Sequence, residues 1–453
     1  MPGPTSSPLQ PSPLRSSPLR AALAATAGTA VEYYDFVIFG TAAALAFGHE
    51  FFPTRDPASG TLAALASYAV AFLARPLGGL LFGPFGDRFG RRSSLVATVT
   101  VMGTATFLIG LLPTYATIGV AAPVLLVLLR FLQGLALGGE WGGATLMAVE
   151  HAPAGRRGFY GTFVQLGSAI GPLLASGAFL SVKALGGDPA HSAAWRIPFL
   201  LSAVLTAVGL YLRLSVTESP EFTAAARTGT PTTRPVREVF ARYRGTLALA
   251  AGAMVLGTGG YQLVAVFLVL VYMPSVGVSV TVVLLAGVVL SAATAATLGL
   301  YGRLGDRIGL ERASMIGCVY SAVAAFPMFM MADTGNTALV LLAVPVCFAG
   351  ANLTFGLNSA LLASHFDAGL RNTAVSLASA GAALFGGALV PLLSTWLRTL
   401  AHGAYWPAAL LLVAQALVSL AAVIALRRPP PPSPSPSPGS GTQGLSGETP
   451  ATK

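Results

Sequence analysis

The stretch GPFGDRFGRR fills residues 83–92, and GRLGDRIGLER fills residues 302–312. Gly83 and Gly302 are 219 residues apart, and so are Asp87 and Asp306. Each copy follows a long apolar run and carries glycines, an Asp-Arg pair and a further Arg. A charged segment that recurs at the same place in two halves predicts two matched units related by an axis along the membrane normal. Locally it reads as a tight loop between helices. Glycine permits the turn, and the aspartate suits a helix N-terminus or a neighbouring Arg. The arginines hold the loop on one side of a bilayer. Gly83, Asp87, Arg88, Gly90 and Arg91, with Gly302, Asp306, Arg307 and Gly309, are therefore the candidate gating loops.

Outward from this repeat the chain is apolar. Of 453 residues, 54% are hydrophobic and 9% charged, against roughly 25% charged in soluble domains. Twelve apolar segments approach the roughly 20 residues that cross about 30 Å of hydrocarbon. They are 22–48, 60–82, 93–112, 120–148, 158–182, 195–213, 245–273, 279–302, 313–332, 337–363, 371–397 and 403–426. The expected fold is an all-α membrane protein: twelve transmembrane helices in two pseudo-symmetric six-helix bundles, 22–213 and 245–426. A polar linker, 214–244, separates them. Residues 1–21 and 427–453 are Pro- and Ser-rich and read as disordered tails.

The net charge of +10 has its explanation in topology rather than in nucleic acid. With the N-terminus inside, 20 of the 26 Lys and Arg fall in cytoplasmic stretches. Arg55, Lys183, Arg196 and Arg398 fall outside, and Arg75 and Arg130 fall within spans. This bias predicts that both termini are cytoplasmic. Cys318 and Cys347 sit in apolar runs, with no disulfide or metal-ligand spacing. There is no nucleophile–His–acid set, no phosphate loop and no metal cluster, so neither an enzyme nor a cofactor is expected.

Charge inside the spans carries the functional reading. In AVEYYDFVIFG, residues 30–40, Glu32 and Asp35 share a helix face. Helix rise puts Glu32, Arg75 and Arg130 each about 15–18 Å from a span end, near mid-membrane. A charge there is expensive, and such residues pair or face a cavity. Four charges at one depth predict one shared polar cavity, with the carboxylates exchanging protons and the arginines meeting substrate. Arg130 and Gln133 are again three apart on one helix. Arg130 and Glu140 lie about 15 Å apart along the axis and cannot pair. Pro76, Gly78, Gly79 and the glycines 138, 139, 142 and 143 read as helix contact surfaces. His151, beside Glu150, reads as a surface residue. In the second half Tyr261, Gln262, Asn352 and Asn358 are candidates for an uncharged polar wall.

The repeat and the twelve-span plan resemble the major facilitator superfamily. VEYYDF, FLARPLGGLLFGPFGDRFGRR, LLRFLQGLALGGEWGGATLMAVEHAPAGRRGFYGTF and AWRIPFLLSAV resemble its metabolite:proton symporter family. The likeness is dense over roughly 28–222 and then thins to YMP (272–274) and GRLGDRIG. That family carries shikimate, 2-oxoglutarate, citrate, proline and betaine. The resemblance implies a proton-coupled importer of a small polar metabolite in the bacterial inner membrane, monomeric, with protons and lipid as its other partners. Glu32 and Asp35 are thus the proton-coupling candidates, and GGEWGG, which resembles the family's segment, adds Glu140 as a second proton stop or a gate partner for a cytoplasmic-loop Arg. The candidate substrate set is Tyr33, Arg75, Arg130, Gln133, Gln165, Tyr261, Gln262, Asn352 and Asn358. Two departures keep alternatives open. GTGG, 257–260, lacks the acidic or amide residue of many relatives, and Gly158, Gly167 and Gly171-Pro172 partly match a motif of drug:proton antiporters. The alternatives are proton antiport of an exported drug or metabolite, and a non-transporting sensor.

Overall fold

The computed structural model describes residues 17–53, 57–188, 192–219, 221–223 and 235–427. Most of both tails, Arg55, and residues 224–234 of the linker with Arg227 and Arg234 lie outside the described residues. The described residues are helical, and 12 of their helices are long and apolar enough to cross a membrane. We label them α1 (Pro18–Glu50), α2 (Pro57–Phe89), α3 (Arg91–Leu111), α4 (Ala121–Glu150), α5 (Arg157–Ala184) and α6 (Arg196–Leu214). The second half holds α7 (Pro235–Ser275), α8 (Val280–Ile308), α9 (Leu310–Asp333), α10 (Thr337–Ala363), α11 (Arg371–Leu400) and α12 (Trp406–Leu426). α7 begins inside the segment expected as linker, because Pro235 is a favoured first helical residue and its missing N–H costs nothing there.

The repeated motif is not a loop. Gly83, Asp87 and Arg88 lie on the last turns of α2, and Gly302, Asp306 and Arg307 on the last turns of α8. Each connection to the next helix is a single glycine: Gly90 at φ 99° and Gly309 at φ 95°, a left-handed conformation that only glycine adopts cheaply. The charged residues stay helical because each glycine makes the whole turn.

Small residues set the packing. A Cβ on Gly134 would run into Ala71 of α2, and on Gly78 into Leu135 of α4. These glycines let two backbones touch, which substitutes for hydrophobic attraction between helices in lipid. Gly167 and Gly171 of α5 do the same against α1, where a Cβ would meet Thr26 O at 2.6 Å and Tyr34 N at 2.7 Å. Pro172 sits inside the unbroken helix α5. Leu73, Leu180, Val204 and Val323 are among the large apolar side chains left on the outer surface, as a lipid solvent requires. α1, α7 and α11 contain π-helical stretches at Ala43–Phe47, Leu263–Tyr272 and Ala383–Ala388. Such stretches are often found at functional sites.

Candidate functional site

Glu32 on α1 pairs with Arg75 on α2. The pair borders a cavity of about 50 Å³ that both halves enclose. Tyr33, Trp141 and Gln165 complete the first half's polar wall, and Thr258, Phe355 and Ser379 belong to the second half's wall. At roughly 10–15 Å³ per water, the cavity has room for a few waters. Tyr261 of α7 packs edge-on against Tyr33 at 6.0 Å between centroids, stacks on Phe355, and points its hydroxyl at Ser168 O, 3.5 Å away.

The four charges do not share one cavity. Asp35 turns into the first bundle and accepts hydrogen bonds from Arg130 at 2.8 Å, Gln133 at 2.7 Å and Thr106 at 2.7 Å. Gln133 also reaches Thr106 at 2.8 Å. All four side chains are buried, and none lines the cavity. Phe36 stands between the two ion pairs, with both guanidiniums 5.1 Å from its ring centroid. Thr106 gave no signal in the sequence, because a lone threonine in an apolar helix usually bonds its own backbone, as this one also does to Met102 O at 2.9 Å.

Glu140 is fully buried and pairs with Arg213 at 2.8 Å. Arg213, expected in a cytoplasmic stretch, is on α6 and 1% exposed. The partner of Glu140 is thus inside the same half rather than across a gate. Both groups pack on Gly28, where a Cβ would land on the Arg213 guanidinium. Arg130 and Glu140 do not pair, as their axial separation required.

Asn352 leaves the expected polar wall as well: its amide donates to Thr297 of α8 at 2.9 Å. Asn358 lies against Gly257, where an added Cβ would be 2.6 Å from its amide nitrogen. Gln262 ends the α-helical part of α7, before the π-helical stretch. None of the three lines the cavity. Thr258, within the GTGG segment, and Ser379 take that place.

Apart from the long Tyr261–Ser168 contact, the hydrogen bonds and ion pairs that join the halves among the described residues gather toward the end carrying the motif. Asp87 of α2 accepts from the backbone N–H of Asn372 at 3.2 Å and of Thr373 at 2.8 Å, and from the Thr373 hydroxyl at 2.6 Å. Asp306 of α8 accepts from the N–H of Gly158 at 2.7 Å and of Phe159 at 2.9 Å. Each motif aspartate therefore caps the first helix turn of the opposite half, where unpaired N–H groups and the helix dipole favour an anion. Gly83 and Gly302 allow the approach: a Cβ would meet Thr373 Cα at 2.9 Å and Phe159 Cα at 2.6 Å. Arg91 is fully buried, bonds Asp87 at 2.7 Å and crosses to Ala368 O at 2.7 Å. Arg371 bonds Glu150 at 3.0 Å and pairs with Glu221. Arg88 and Arg307 stay exposed and take no part. His151 is buried rather than on the surface, and burial pushes its imidazole below the ordinary value, against the pull of Met147 O, Glu150 and Glu218.

These caps give a testable consequence. Removing one N-cap acceptor costs about 1 kcal/mol, up to about 2. Asp87→Ala with Asp306→Ala is expected to cost the closed end about 2–4 kcal/mol, a shift of roughly 30- to 1000-fold in its population. Spin labels on the exposed Ala154 and Arg307 of opposite halves should then report a longer distance. An unchanged distance distribution means that the caps do not hold this end shut.

Comparison with known proteins follows the same lines. The Major Facilitator Superfamily profile matches residues 25–384. A putative metabolite transport protein of Haemophilus influenzae (strain ATCC 51907 / DSM 11121 / KW20 / Rd) is 54% identical over 219 residues, which is 48% of this chain and 49% of that one. The chain thus spans about half the length of that relative. The shikimate transporter of Escherichia coli (strain K12) is 36% identical over 407 residues, covering 88% of this chain and 92% of that protein. Among solved structures, the proton:xylose symporter XylE bound to 6-bromo-6-deoxy-D-glucose matches with a TM-score of 0.70 at 19% identity, over 90% of this chain and 94% of that one.

Proposed function

The chain belongs to the Major Facilitator Superfamily and is a multi-pass membrane transporter, and on that premise we propose that it is a proton-coupled importer of a small organic acid or zwitterion in the bacterial inner membrane. One observation carries the reading: the Glu32–Arg75 pair borders the cavity between the halves, while the pairs Asp35–Arg130 and Glu140–Arg213 are closed off within the first half. A carboxylate that is paired with the substrate's own ligand couples two events. While Glu32 is ionised it occupies Arg75. Once Glu32 takes a proton it stops competing, and Arg75 is free for a carboxylate. Proton and substrate thus load together, and the doubly loaded site is the one that carries both across.

Asp35 with Arg130, and Glu140 with Arg213, act as clamps that hold the first bundle rigid around Glu32. Tyr33, Gln165, Thr258 and Ser379 orient the rest of the substrate. The motif end is the cytoplasmic gate, with both termini on that side, because the arginines collect there. The protein acts as a monomer, since one chain's two halves enclose the site. The relative that transports shikimate, a hydroxylated carboxylic acid, supports an acid as cargo.

Purified protein in liposomes tests this. A carboxylate that raises the melting temperature is loaded outside with acid outside and neutral buffer inside. It is expected to accumulate with the protons, whichever way the protein faces. Movement against the protons would establish antiport and overturn import. Binding without flux would establish a sensor.

A further inference from the structure

We infer that one substrate carboxylate loads with one proton and no change of net charge, so that the site selects monocarboxylates and moves them electroneutrally. The inference rests on the transporter reading above and adds its charge balance. Among the described residues, the charged ones on the cavity wall are Glu32 and Arg75, one of each sign, and the second half contributes uncharged side chains to that wall, Thr258, Phe355 and Ser379 among them.

The other charges around Glu32 are already engaged. Behind Phe36, Asp35 is held by Arg130. One turn along α1, below Gly28, Glu140 is held by Arg213. The remaining titratable side chains in this region are phenols: Tyr33, the Tyr261 ring it meets, and Tyr68 beside Arg130. None supplies a second cation to the cavity.

The balance then follows. At rest the Glu32 carboxylate and the Arg75 guanidinium sum to zero. On loading, a proton joins the Glu32 carboxylate to give the neutral acid, and the substrate carboxylate takes its place beside Arg75. The sum is again zero, and no bond other than that O–H forms. A dicarboxylate would bring a second negative charge to mid-membrane with no partner, which the bilayer disfavours. A zwitterion would set its cation on ionised Glu32 and its carboxylate on Arg75, and would need no proton at all.

The test uses wild-type protein. Thermal shifts are measured with shikimate as monocarboxylate, 2-oxoglutarate as dicarboxylate and glycine betaine as zwitterion. Shikimate is expected to stabilise more strongly as pH falls, glycine betaine less strongly as pH falls, and 2-oxoglutarate not at all. A 2-oxoglutarate shift equal to that of shikimate, no shift from shikimate, or a glycine betaine shift that grows as pH falls overturns the inference. In liposomes with valinomycin and equal potassium, a gradient of one pH unit should accumulate shikimate about tenfold. A potassium-set membrane potential without a pH gradient should accumulate none. Accumulation driven by potential alone overturns electroneutrality while leaving proton coupling intact, whereas absence of flux under both conditions defeats the transporter reading instead. Thr258→Lys adds a cation to the uncharged wall and should improve 2-oxoglutarate binding at least tenfold. An unchanged preference in a variant that still melts cooperatively overturns the charge argument.

Discussion

Glu32→Gln is expected to reduce proton-driven accumulation to none. Across a gradient of one pH unit, one coupled proton supplies about 1.4 kcal/mol, a tenfold concentration ratio. Glutamine copies the size and hydrogen bonding of the protonated acid but has no proton to release. Arg75 is then permanently available to a carboxylate, so substrate binds and crosses without a proton. Exchange of labelled for unlabelled substrate at equal pH should persist within about threefold of wild type, while the accumulation ratio falls from about tenfold to unity. This split separates uncoupling from misfolding, which would abolish both. A variant that still accumulates tenfold removes Glu32 from the coupling. Arg75→Gln should behave differently: Glu32 loses its partner, the substrate loses its anchor, and exchange disappears along with accumulation.

The contrast shows what a one-dimensional reading resolves. Depth along a helix follows from its rise of about 1.5 Å per residue, so it was legible that these charges come level enough to meet, as Glu32 does with Arg75 and Asp35 with Arg130. Azimuth is harder. Residues three apart differ by about 60° around the axis, close enough to be called one face. That angle suffices to set Glu32 on the cavity and Asp35 inside the bundle, with the Phe36 ring between the guanidiniums. The repeat at 219 residues announced two matched halves. It did not announce that Asp87 and Asp306 each reach across to cap a helix of the other half, because hydrogen bonds to a distant backbone leave no mark on spacing. Arg213 was misplaced for a related reason. It lies in the last turn of α6, where hydropathy alone assigns an arginine to water, yet Glu140 draws it inward.

The uncharged wall was the least legible part. Asn352 and Asn358 looked like substrate ligands because amides are rare in apolar runs, but an amide inside a bundle is as readily used between helices, and Asn352 spends its donor on Thr297. Thr258 and Ser379 give no such signal. Serine and threonine return their hydroxyls to their own helix, as Ser379 does to Ser376 O at 2.9 Å, and only the enclosing geometry singles them out.

Asp35→Leu is expected to destabilise the protein by about 3–5 kcal/mol, the usual result of stranding one member of a buried ion pair. Arg130 would be left fully buried, and its Nε and Nη2 already have no hydrogen-bond partner. Its guanidinium would keep Phe39, whose centroid is 4.1 Å away, and Tyr68 at 5.0 Å. Cation–π contacts of this kind return at most about 2 kcal/mol when desolvated. The double variant Asp35→Leu, Arg130→Met removes both charges and fills the volume with hydrocarbon. It should regain most of the loss, ending within about 1–2 kcal/mol of wild type after the cost of leaving Thr106 and Gln133 with fewer partners. Thermal melting in detergent gives both values, and with Arg130→Met alone as the remaining corner of the cycle it gives the coupling between the two charges. The same double variant also distinguishes a clamp from a proton site. With Glu32 and Arg75 intact, it should still accumulate substrate along a proton gradient. Loss of accumulation in a double variant that melts like wild type would place the coupling proton on Asp35 instead, behind Phe36 and away from the cavity.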